Sequence, residues 1–375
     1  MAGIYIHIPF CKQACYYCDF HFSTSLKNKD SILSAIETEL VLRKNEIRDT
    51  IETIYFGGGT PSLLNTSEIE RVINLIRKNF KVTEFPEITL EANPDDLSKN
   101  KLDELSRTPV NRLSIGVQSF FDEDLSYMNR AHNSRQAMAS MEYASKWFDN
   151  ISMDLIYGIP QLSEERWVKN LEYTFDFKVE HISSYALTVE PKTALDHFIR
   201  KGKYKAPSEA LAEKHFKLLQ ELTGAKDFIQ YEISNFGRKG YFSTHNTSYW
   251  KGAKYLGVGP SAHSFDGTQR SWNVANNARY MKSIEKGELP SEIEKLTVED
   301  RINEMIMTGI RTIWGISIED IVSNFGETYK NLLMQQAEKH LKTGSLYNRE
   351  NHLILKPEKY FLADGIASDM FLIKV

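Results

Sequence analysis

Short β-rich runs alternate with helical runs along the first two-thirds of the chain. Apolar residues recur at helical spacing between residues 31 and 48, and Ser67 is the predicted N-cap of a second helix that runs to Asn79. Strands that alternate with helices indicate repeated βαβ units and a parallel sheet. The six predicted strands are Ile4–Ile8, Thr53–Phe56, Ile88–Glu91, Arg112–Val117, Ser152–Ile156 and His181–Ala186.

Six strands are too few for a closed barrel of eight βα units. The pattern therefore predicts an α/β fold with a partial, open (β/α)6 barrel. In barrels of this kind the chemistry gathers at the carboxyl ends of the strands. The unusual residues of this sequence fall there: cysteines follow the first strand, glycines the second, Glu91 the third and Gln118 the fourth. We expect the functional site at this edge.

The pattern changes after about residue 200. Residues 228–265 are rich in Gly, Ser, Asn and aromatic residues and show little periodicity. Helical runs return after residue 298, and a short hairpin and a terminal helix follow. This order predicts a smaller, mostly helical, winged-helix-like domain. We therefore divide the chain into a core at 1–230, a connecting segment at 231–295 and a C-terminal domain at 296–375.

Composition narrows the class of protein. The 375 residues are 41% hydrophobic, which is enough for a sizeable core. Lys and Arg total 46 against 50 Asp and Glu, a net charge of −4, so we expect no nucleic-acid partner. No apolar run approaches the roughly 18 residues of a membrane span, and the first residues lack the pattern of a signal peptide. A cytoplasmic location is the expectation.

The chain has three cysteines, and all lie in one short segment as Cys11, Cys15 and Cys18. An odd, clustered set does not form a disulfide framework and indicates metal chemistry in a reducing compartment. Three thiolates suit a [4Fe–4S] cluster and leave one iron open to an amino-acid ligand. The alternative is a structural zinc site with His7 or His21 as the fourth ligand.

The cysteine spacing resembles that of the radical S-adenosylmethionine (SAM) superfamily. Longer strings resemble its coproporphyrinogen III oxidase-like branch, although residues 158–162 read GIPQL where the family often has GLPGQ. The strings are YIHIPFC at 5–11, IYFGGGTPS at 54–62, SIGVQSF at 114–120, DLIYGIP at 154–160, YEISNF at 231–236 and GVGPSAHS at 257–264. The resemblance implies two cofactors. One is a [4Fe–4S] cluster held by the cysteines, and the other is SAM, which the cluster cleaves by delivering one electron.

The resemblance also implies which residues bind the cofactor. It assigns the methionine amino group to the glycine-rich turn, where glycine permits close backbone approach. A carboxylate can accept hydrogen bonds from the ribose or the amino group, and arginine can pair with the methionine carboxylate. The implied cofactor-binding residues are Tyr5, Tyr17, Gly58, Gly59, Thr60, Glu91, Gln118, Arg130 and Asp154.

Two functions compete within this branch, an oxidase and a heme chaperone. The oxidase has a fourth cysteine where this chain has Phe20, and it carries an extension ahead of the first strand. Residues 245–250, HNTSYW, match a His-Asn-x-x-Tyr-Trp motif of the chaperone group. Imidazole ligates heme iron and aromatic rings cover a porphyrin face, so His245 is a heme-binding candidate. His245 could equally be a hydrogen-bonded loop histidine, and His263 is a second, weaker candidate.

The predicted function is therefore heme binding and transfer to recipient heme proteins. The alternative is an oxygen-independent coproporphyrinogen III oxidase, which decarboxylates porphyrinogen propionates. A third hypothesis is a radical SAM enzyme that acts on another substrate. The resemblance further implies recipients among membrane respiratory enzymes, a peripheral contact with the membrane, and a homodimer.

Overall fold

The structure is a computed structural model that describes residues 2–372, so the outer limits of the predicted division, residues 1 and 375, lie outside it. Within it, six strands and the helices between them follow the predicted order. The strands are β1 (Ala2–Ile8), β2 (Ile51–Gly58), β3 (Val82–Ala92), β4 (Arg112–Gln118), β5 (Ile151–Tyr157) and β6 (His181–Ala186). The helices are α1 (Lys29–Leu42), α2 (Thr66–Asn79), α3 (Lys99–Leu105), α4 (Asp122–Tyr127), α5 (Ser134–Ala144) and α6 (Glu164–Asp176).

Strands β1 to β6 pair in chain order, and each is parallel to its neighbour. Most of their central residues are buried, on both faces, as in strands of a helix-covered parallel sheet, and every residue of β4 is buried. The α/β class and the open arrangement of six βα units are confirmed. The carboxyl ends of these strands consequently meet at one edge, directly beside the loop that follows β1.

The part of the chain between residues 187 and 295 adds further strands to the same sheet. Its helices are α7 (Ala194–Arg200), α8 (Glu209–Gly224), α9 (Thr244–Trp250) and α10 (Asn277–Glu285). Its strands are β7 (Ile229–Gln230), β8 (Asn235–Gly237), β9 (Lys254–Val258), β10 (His263–Phe265), β11 (Gln269–Asn273) and β12 (Ser291–Lys295). The order is β12-β11-β10-β9-β1-β2-β3-β4-β5-β6-β8-β7, with β9 parallel to β1.

A buried ion pair fastens this added part to the first βα unit. Arg43 Nη1 donates to Glu39 Oε1 at 3.0 Å and to the Gly257 carbonyl at 2.8 Å. Glu39 in turn accepts hydrogen bonds from Asn273 Nδ2 at 2.7 Å and from the Tyr280 hydroxyl at 2.5 Å. Helix α1 is thereby bound to β9, β11 and α10 through charges that water does not reach.

The C-terminal part combines helices with a small sheet, as predicted. Its helices are α11 (Val298–Ile310), α12 (Ile318–Phe325), α13 (Glu327–Lys342) and α14 (Ala363–Asp369). Its strands are β13 (Ile316–Ser317), β14 (Leu346–Arg349) and β15 (His352–Leu355), in the antiparallel order β13-β15-β14. No helix in residues 2–372 has both the length and the apolar character needed to cross a membrane.

Two predicted helix limits were wrong. Helix α1 ends at Leu42, six residues before the predicted end. Helix α2 begins after Asn65, and Ser67 lies inside its first turn. Asn65 Oδ1 accepts from the Glu68 amide at 2.8 Å, and the Glu68 carboxylate accepts from the Asn65 amide at 2.8 Å. This reciprocal capping box satisfies two N–H groups at once and sets the start of the helix at Asn65 instead of Ser67.

Candidate functional site

The three cysteines lie on the loop that directly follows β1. All three thiols are free and half-buried. Backbone hydrogen bonds from the Cys11 amide to the Ser23 carbonyl at 3.1 Å and from Ser23 to the Pro9 carbonyl at 2.9 Å close this loop. The side chain of Gln13 donates to the Asn129 carbonyl at 3.0 Å, which ties the loop to the segment after α4. The thiols are thus held at the carboxyl edge of the sheet.

The two histidines considered as a fourth zinc ligand are engaged elsewhere. His7 Nε2 donates to the His21 carbonyl at 2.9 Å, and its Nδ1 lies 3.3 Å from the Tyr5 hydroxyl. His21 Nε2 lies 2.8 Å from Asn277 Oδ1. Among residues 2–372, no three His, Cys, Asp or Glu side chains converge on one point as a single-ion site requires. A [4Fe–4S] cluster does not need such convergence, because each thiolate binds a different iron. Three free thiols on one loop therefore suit a cluster.

The glycine-rich turn after β2 packs against the end of β1 without room for side chains. Gly58 has φ +102°, and a Cβ there would lie 2.5 Å from the His7 ring. A Cβ on Gly59 would lie 2.5 Å from the Phe10 carbonyl oxygen, and one on Gly57 would lie 2.8 Å from the Tyr5 ring. The three positions therefore admit only glycine, which lets the turn approach the end of β1 closely beside the cysteine loop.

Glu91 is the anionic group nearest to this turn. Its carboxylate accepts hydrogen bonds from the Tyr55 hydroxyl at 2.8 Å and from the Gly58 amide at 3.2 Å. Burial raises the pKa of Glu91 to about 7, against the lowering effect of the Tyr55 bond. A cation beside Glu91 would offset the energetic cost of burying its negative charge, so the site favours a ligand with an ammonium group.

Arg130 connects the cysteine loop to the strand ends. Its Nη1 donates to Cys15 Sγ at 3.4 Å and to the Tyr17 hydroxyl at 3.2 Å. Its Nη2 donates to Asn93 Oδ1 at 2.7 Å and to the Gly116 carbonyl at 3.0 Å. The buried Nε has no hydrogen-bond partner within the part of the chain that the structure describes. Arg130 thus keeps a donor for a further anionic group.

Gln118 and Asp154 stand on neighbouring strands of the same region. The pairing of β4 with β5 shifts register just before Gln118, which has φ +64°. Asp154 accepts a hydrogen bond from Ser114 Oγ at 3.1 Å, and burial raises the pKa of Asp154 to about 6. Two carboxyl groups with raised pKa values in one buried region are typical of a functional site.

The structure therefore brings the predicted cofactor residues into one region around the cysteine loop. Thr60 joins it through its hydroxyl, which accepts from Asn93 Nδ2 at 3.3 Å. The residues so placed are Tyr5, Tyr17, Gly58, Gly59, Thr60, Glu91, Gln118, Arg130 and Asp154. Their contacts with a cofactor stay a prediction.

His245 is separated from Glu91 by Tyr55, which stacks on the His245 ring and donates to the Glu91 carboxylate. Its ring is 1% exposed and stacks on Tyr55 with ring centroids 4.8 Å apart. Nδ1 lies 2.7 Å from Thr53 Oγ1, and Nε2 lies 2.7 Å from the Tyr249 hydroxyl. Burial lowers the pKa of His245 to about 3, so the ring is neutral at neutral pH. His263 is exposed on β10, with its ring centroid 6.0 Å from that of Trp272.

A second feature, which the sequence did not predict, is a cavity of about 1100 Å³ between the sheet and helices α11 and α12; we call it the large cavity. Its mixed lining includes seven aromatic side chains, four basic side chains and the carboxyl groups of Glu232, Glu304 and Asp320. The aromatic residues are Tyr185, Tyr249, Trp250, Tyr255, Phe265, Trp314 and Phe325, and the basic residues are Lys251, Arg270, Arg301 and Arg311. Tyr249 and Trp250 belong to the HNTSYW motif, whereas Trp314 and Phe325 carried no sequence signal.

Tyr185 links the large cavity to the cysteine-side region. It is the fifth residue of β6, and 45% of its surface is exposed. Desolvation by the surrounding protein raises the pKa of Tyr185, even though the cavity leaves part of the side chain exposed, and the charges of Asp154, Glu232 and Glu91 raise it further. The same side chain therefore borders the cavity and senses the carboxyl groups of the candidate cofactor region.

The Radical SAM superfamily profile matches residues 5–174. The heme chaperone HemW of Bacillus subtilis (strain 168) is 33% identical over 374 residues, which cover 98% of both chains. The heme chaperone HemW of Mycobacterium tuberculosis (strain H37Rv) is 31% identical over 97% of this chain and 93% of the relative.

A solved structure shares the fold along nearly the whole chain. It is coproporphyrinogen III oxidase (HemN) from Escherichia coli, with a TM-score of 0.83 over 99% of this chain and 90% of that one, at 22% identity. This likeness shows the fold. Family membership, with its implied [4Fe–4S] cluster and SAM, comes from the sequence matches. The chain belongs to the radical SAM superfamily, in the family of the heme chaperone HemW.

Proposed function

We propose that this chain is a heme chaperone, which binds heme and passes it to recipient heme proteins. The observation that carries the proposal is the similarity to the B. subtilis heme chaperone over 98% of both chains. Two further features support it: Phe20 stands where the oxidase has a fourth cysteine, and the large cavity offers aromatic and basic side chains. Ligand pockets span roughly 300–1,000 Å³, so this cavity has room for a porphyrin.

The proposal includes a [4Fe–4S] cluster on Cys11, Cys15 and Cys18, with SAM beside it. When bound, the cluster supplies one electron for cleavage of SAM. Glu91 would accept the ammonium of the methionine moiety, together with the bare backbone of the turn at Gly58 and Gly59. The free Nε donor and the charge of Arg130 would face its carboxylate. The remaining contacts are assigned to Tyr5, Tyr17, Thr60, Gln118 and Asp154.

His245 stays a candidate for holding heme. Ligation of iron through either ring nitrogen would replace its hydrogen bond with Thr53 or with Tyr249. Replacement of His245 by alanine leaves the heme Soret spectrum and the heme affinity unchanged if the residue acts only through these hydrogen bonds.

The competing function is oxygen-independent decarboxylation of coproporphyrinogen. Two assays on one anaerobically reconstituted sample, reduced with dithionite and supplied with SAM, distinguish the heme chaperone from the oxidase. We expect no protoporphyrinogen from coproporphyrinogen, and saturable heme binding in the same sample. Steady formation of protoporphyrinogen would establish the oxidase instead.

The cluster and heme can be separated by a triple variant. Replacement of Cys11, Cys15 and Cys18 by alanine should abolish iron binding and SAM cleavage while heme binding survives. Loss of heme binding in a variant that remains folded by circular dichroism would show that heme needs the cluster.

The setting of the function is also part of the proposal. We place the protein in the cytoplasm, with peripheral contact at a membrane where recipient respiratory enzymes reside, and as a homodimer. Sedimentation of the reconstituted protein, alone and with lipid vesicles, tests the last two points.

A further inference from the structure

His352 has the chemistry of a metal ligand in a place where no sequence motif pointed. It begins β15, directly after a two-residue turn at Glu350 and Asn351, whose φ values are +51° and +62°. Positive φ at both positions defines the tight hairpin turn that fixes the register of the flanking strands. His352 therefore pairs with Arg349 and, on its other side, with Ser317. Its position is set by the two strands that flank β15, namely β13 and β14.

The tautomer of His352 follows from one hydrogen bond. Nδ1 lies 2.8 Å from the Glu350 carbonyl oxygen, and because a carbonyl only accepts, Nδ1 must carry the proton. In the neutral ring the lone pair is then on Nε2. Within residues 2–372, no group bonds this nitrogen. Histidines that ligate metals in proteins commonly donate their other N–H to a carbonyl in this way.

His352 borders the large cavity, which has room for a porphyrin. His352 is the one histidine among the described residues that line the large cavity. His245, by contrast, has both ring nitrogens in hydrogen bonds inside the protein. The aromatic side chains of the cavity match a flat apolar macrocycle.

The cavity also offers partners for two carboxylates. The Arg301 guanidinium lies 4.9 Å from the Phe325 ring centroid, and the Arg311 guanidinium lies 5.6 Å from that of Trp250. Arg311 pairs with Asp364, but its buried Nε has no partner among the described residues. Arg270 is already paired with Glu304 at 2.5 Å. Guanidinium groups bind carboxylates through two parallel hydrogen bonds, so Arg301 and Arg311 suit heme propionates.

We propose that heme lies in the large cavity, with His352 Nε2 as an axial ligand and Arg301 and Arg311 paired with its propionates. The inference rests on the proposed function and names the site within it. Trp250 and Trp314 are the largest aromatic side chains of the lining, and each has a cation over one ring face, Arg311 and Lys251 respectively. Tyr185 pairs with Ile156 on β5, two residues beyond Asp154, so the same cavity adjoins the region of Asp154.

Heme titration followed by absorption spectroscopy tests the ligand. His352→Ala should shift the Soret band to that of a weakly ligated heme and lower heme affinity by about tenfold or more. Added imidazole should restore the wild-type spectrum, which a misfolded variant would not allow. His197→Ala, an exposed histidine on α7, is the matched control and should change nothing.

Arg301→Gln and Arg311→Gln test the propionate contacts. Each should weaken binding of heme but leave binding of heme dimethyl ester unchanged, because the ester has no carboxylate. Equal weakening with both ligands would overturn this part of the assignment.

The outcomes separate the inference from the function. If wild-type protein binds no heme, the proposed function fails. If wild-type protein binds heme and His352→Ala keeps its Soret spectrum and affinity while His245→Ala loses them, the function stands and this site is overturned.

Discussion

Tyr55 and Glu91 lie on neighbouring parallel strands, and the Tyr55 hydroxyl donates to the Glu91 carboxylate at 2.8 Å. The Gly58 amide holds the other oxygen, so the carboxylate is fixed in place beside the glycine turn. A buried, oriented carboxylate of this kind is positioned for a cation. This relation makes Glu91 the most testable residue of the candidate cofactor region.

Glu91→Gln should weaken SAM binding by about 2 kcal/mol or more, roughly 30-fold, because the ammonium loses a buried charged partner. Calorimetric titration of SAM into reconstituted protein measures this. Glu84→Gln, an exposed carboxyl on the same strand, is the control and should leave affinity unchanged. Equal affinity of the Glu91 variant and the wild type would remove Glu91 from the site.

The same residue predicts a pH dependence of stability. The pKa of Glu91 rises from an ordinary 4.5 to about 7 on folding, so between these values the folded chain binds more protons than the unfolded chain. Stability without ligand should therefore fall as pH rises through this window. Denaturant unfolding should show that the free energy of unfolding of Glu91→Gln, relative to that of the wild type, increases by on the order of 2 kcal/mol between pH 5 and pH 7.5. A difference that does not depend on pH would contradict the raised pKa.

Gly58 and Gly202 form a matched pair for the glycine turn. Both have positive φ, +102° and +68°, but only at Gly58 would a Cβ meet another group, the His7 ring at 2.5 Å. We expect Gly202→Ala to cost about 1 kcal/mol of unfolding free energy from backbone conformation alone. Gly58→Ala should cost about 3 kcal/mol and also abolish SAM binding, because the ring and the turn must separate. Similar losses in both variants would show that the turn has room to spare.

Glu39 predicts a large effect far from any chemistry. Removing it takes away the buried ionic partner of Arg43 and the acceptor of the Tyr280 hydroxyl, and leaves Arg43 only the more exposed Glu46, which costs about 3 kcal/mol. Glu37→Ala on the same helix breaks only a half-exposed pair with Arg71 and should cost under about 1 kcal/mol. Chemical denaturation of the two variants checks the contrast. A small effect at Glu39 would mean that the added strands are held by other contacts.

Strand and site positions were predictable where the local pattern is strong. The six parallel strands are long, apolar runs, and polar residues at their ends must meet at one edge of the sheet. Glu91 and Gln118 could therefore be placed beside the cysteine loop before any contact was known. The capping box of α2 was missed because asparagine at 65 and serine at 67 carry the same local signal, and only the Glu68 bonds decide between them.

Other features depend on contacts between distant residues. Strand β9 has five residues and is defined by its pairing with β1, which lies about 250 positions earlier, so no local period marks it. Glu39 reads as one more charge on an amphipathic helix, yet it bonds Asn273 and Tyr280. The large cavity is formed by side chains spread between Tyr185 and His352 in the sequence, which come together only in the fold. His352 likewise acquires its orientation from the turn before it and from Ser317.

Heme transfer tests the central claim most directly. The reconstituted protein is loaded with heme and separated from free heme. It is then mixed with membranes that hold a heme-free respiratory enzyme, and the activity of that enzyme is followed. The account predicts that activity returns faster than with the same amount of heme bound to albumin, while the chain loses its Soret band. Heme that stays on the chain, or activity that returns no faster than from albumin, would contradict it.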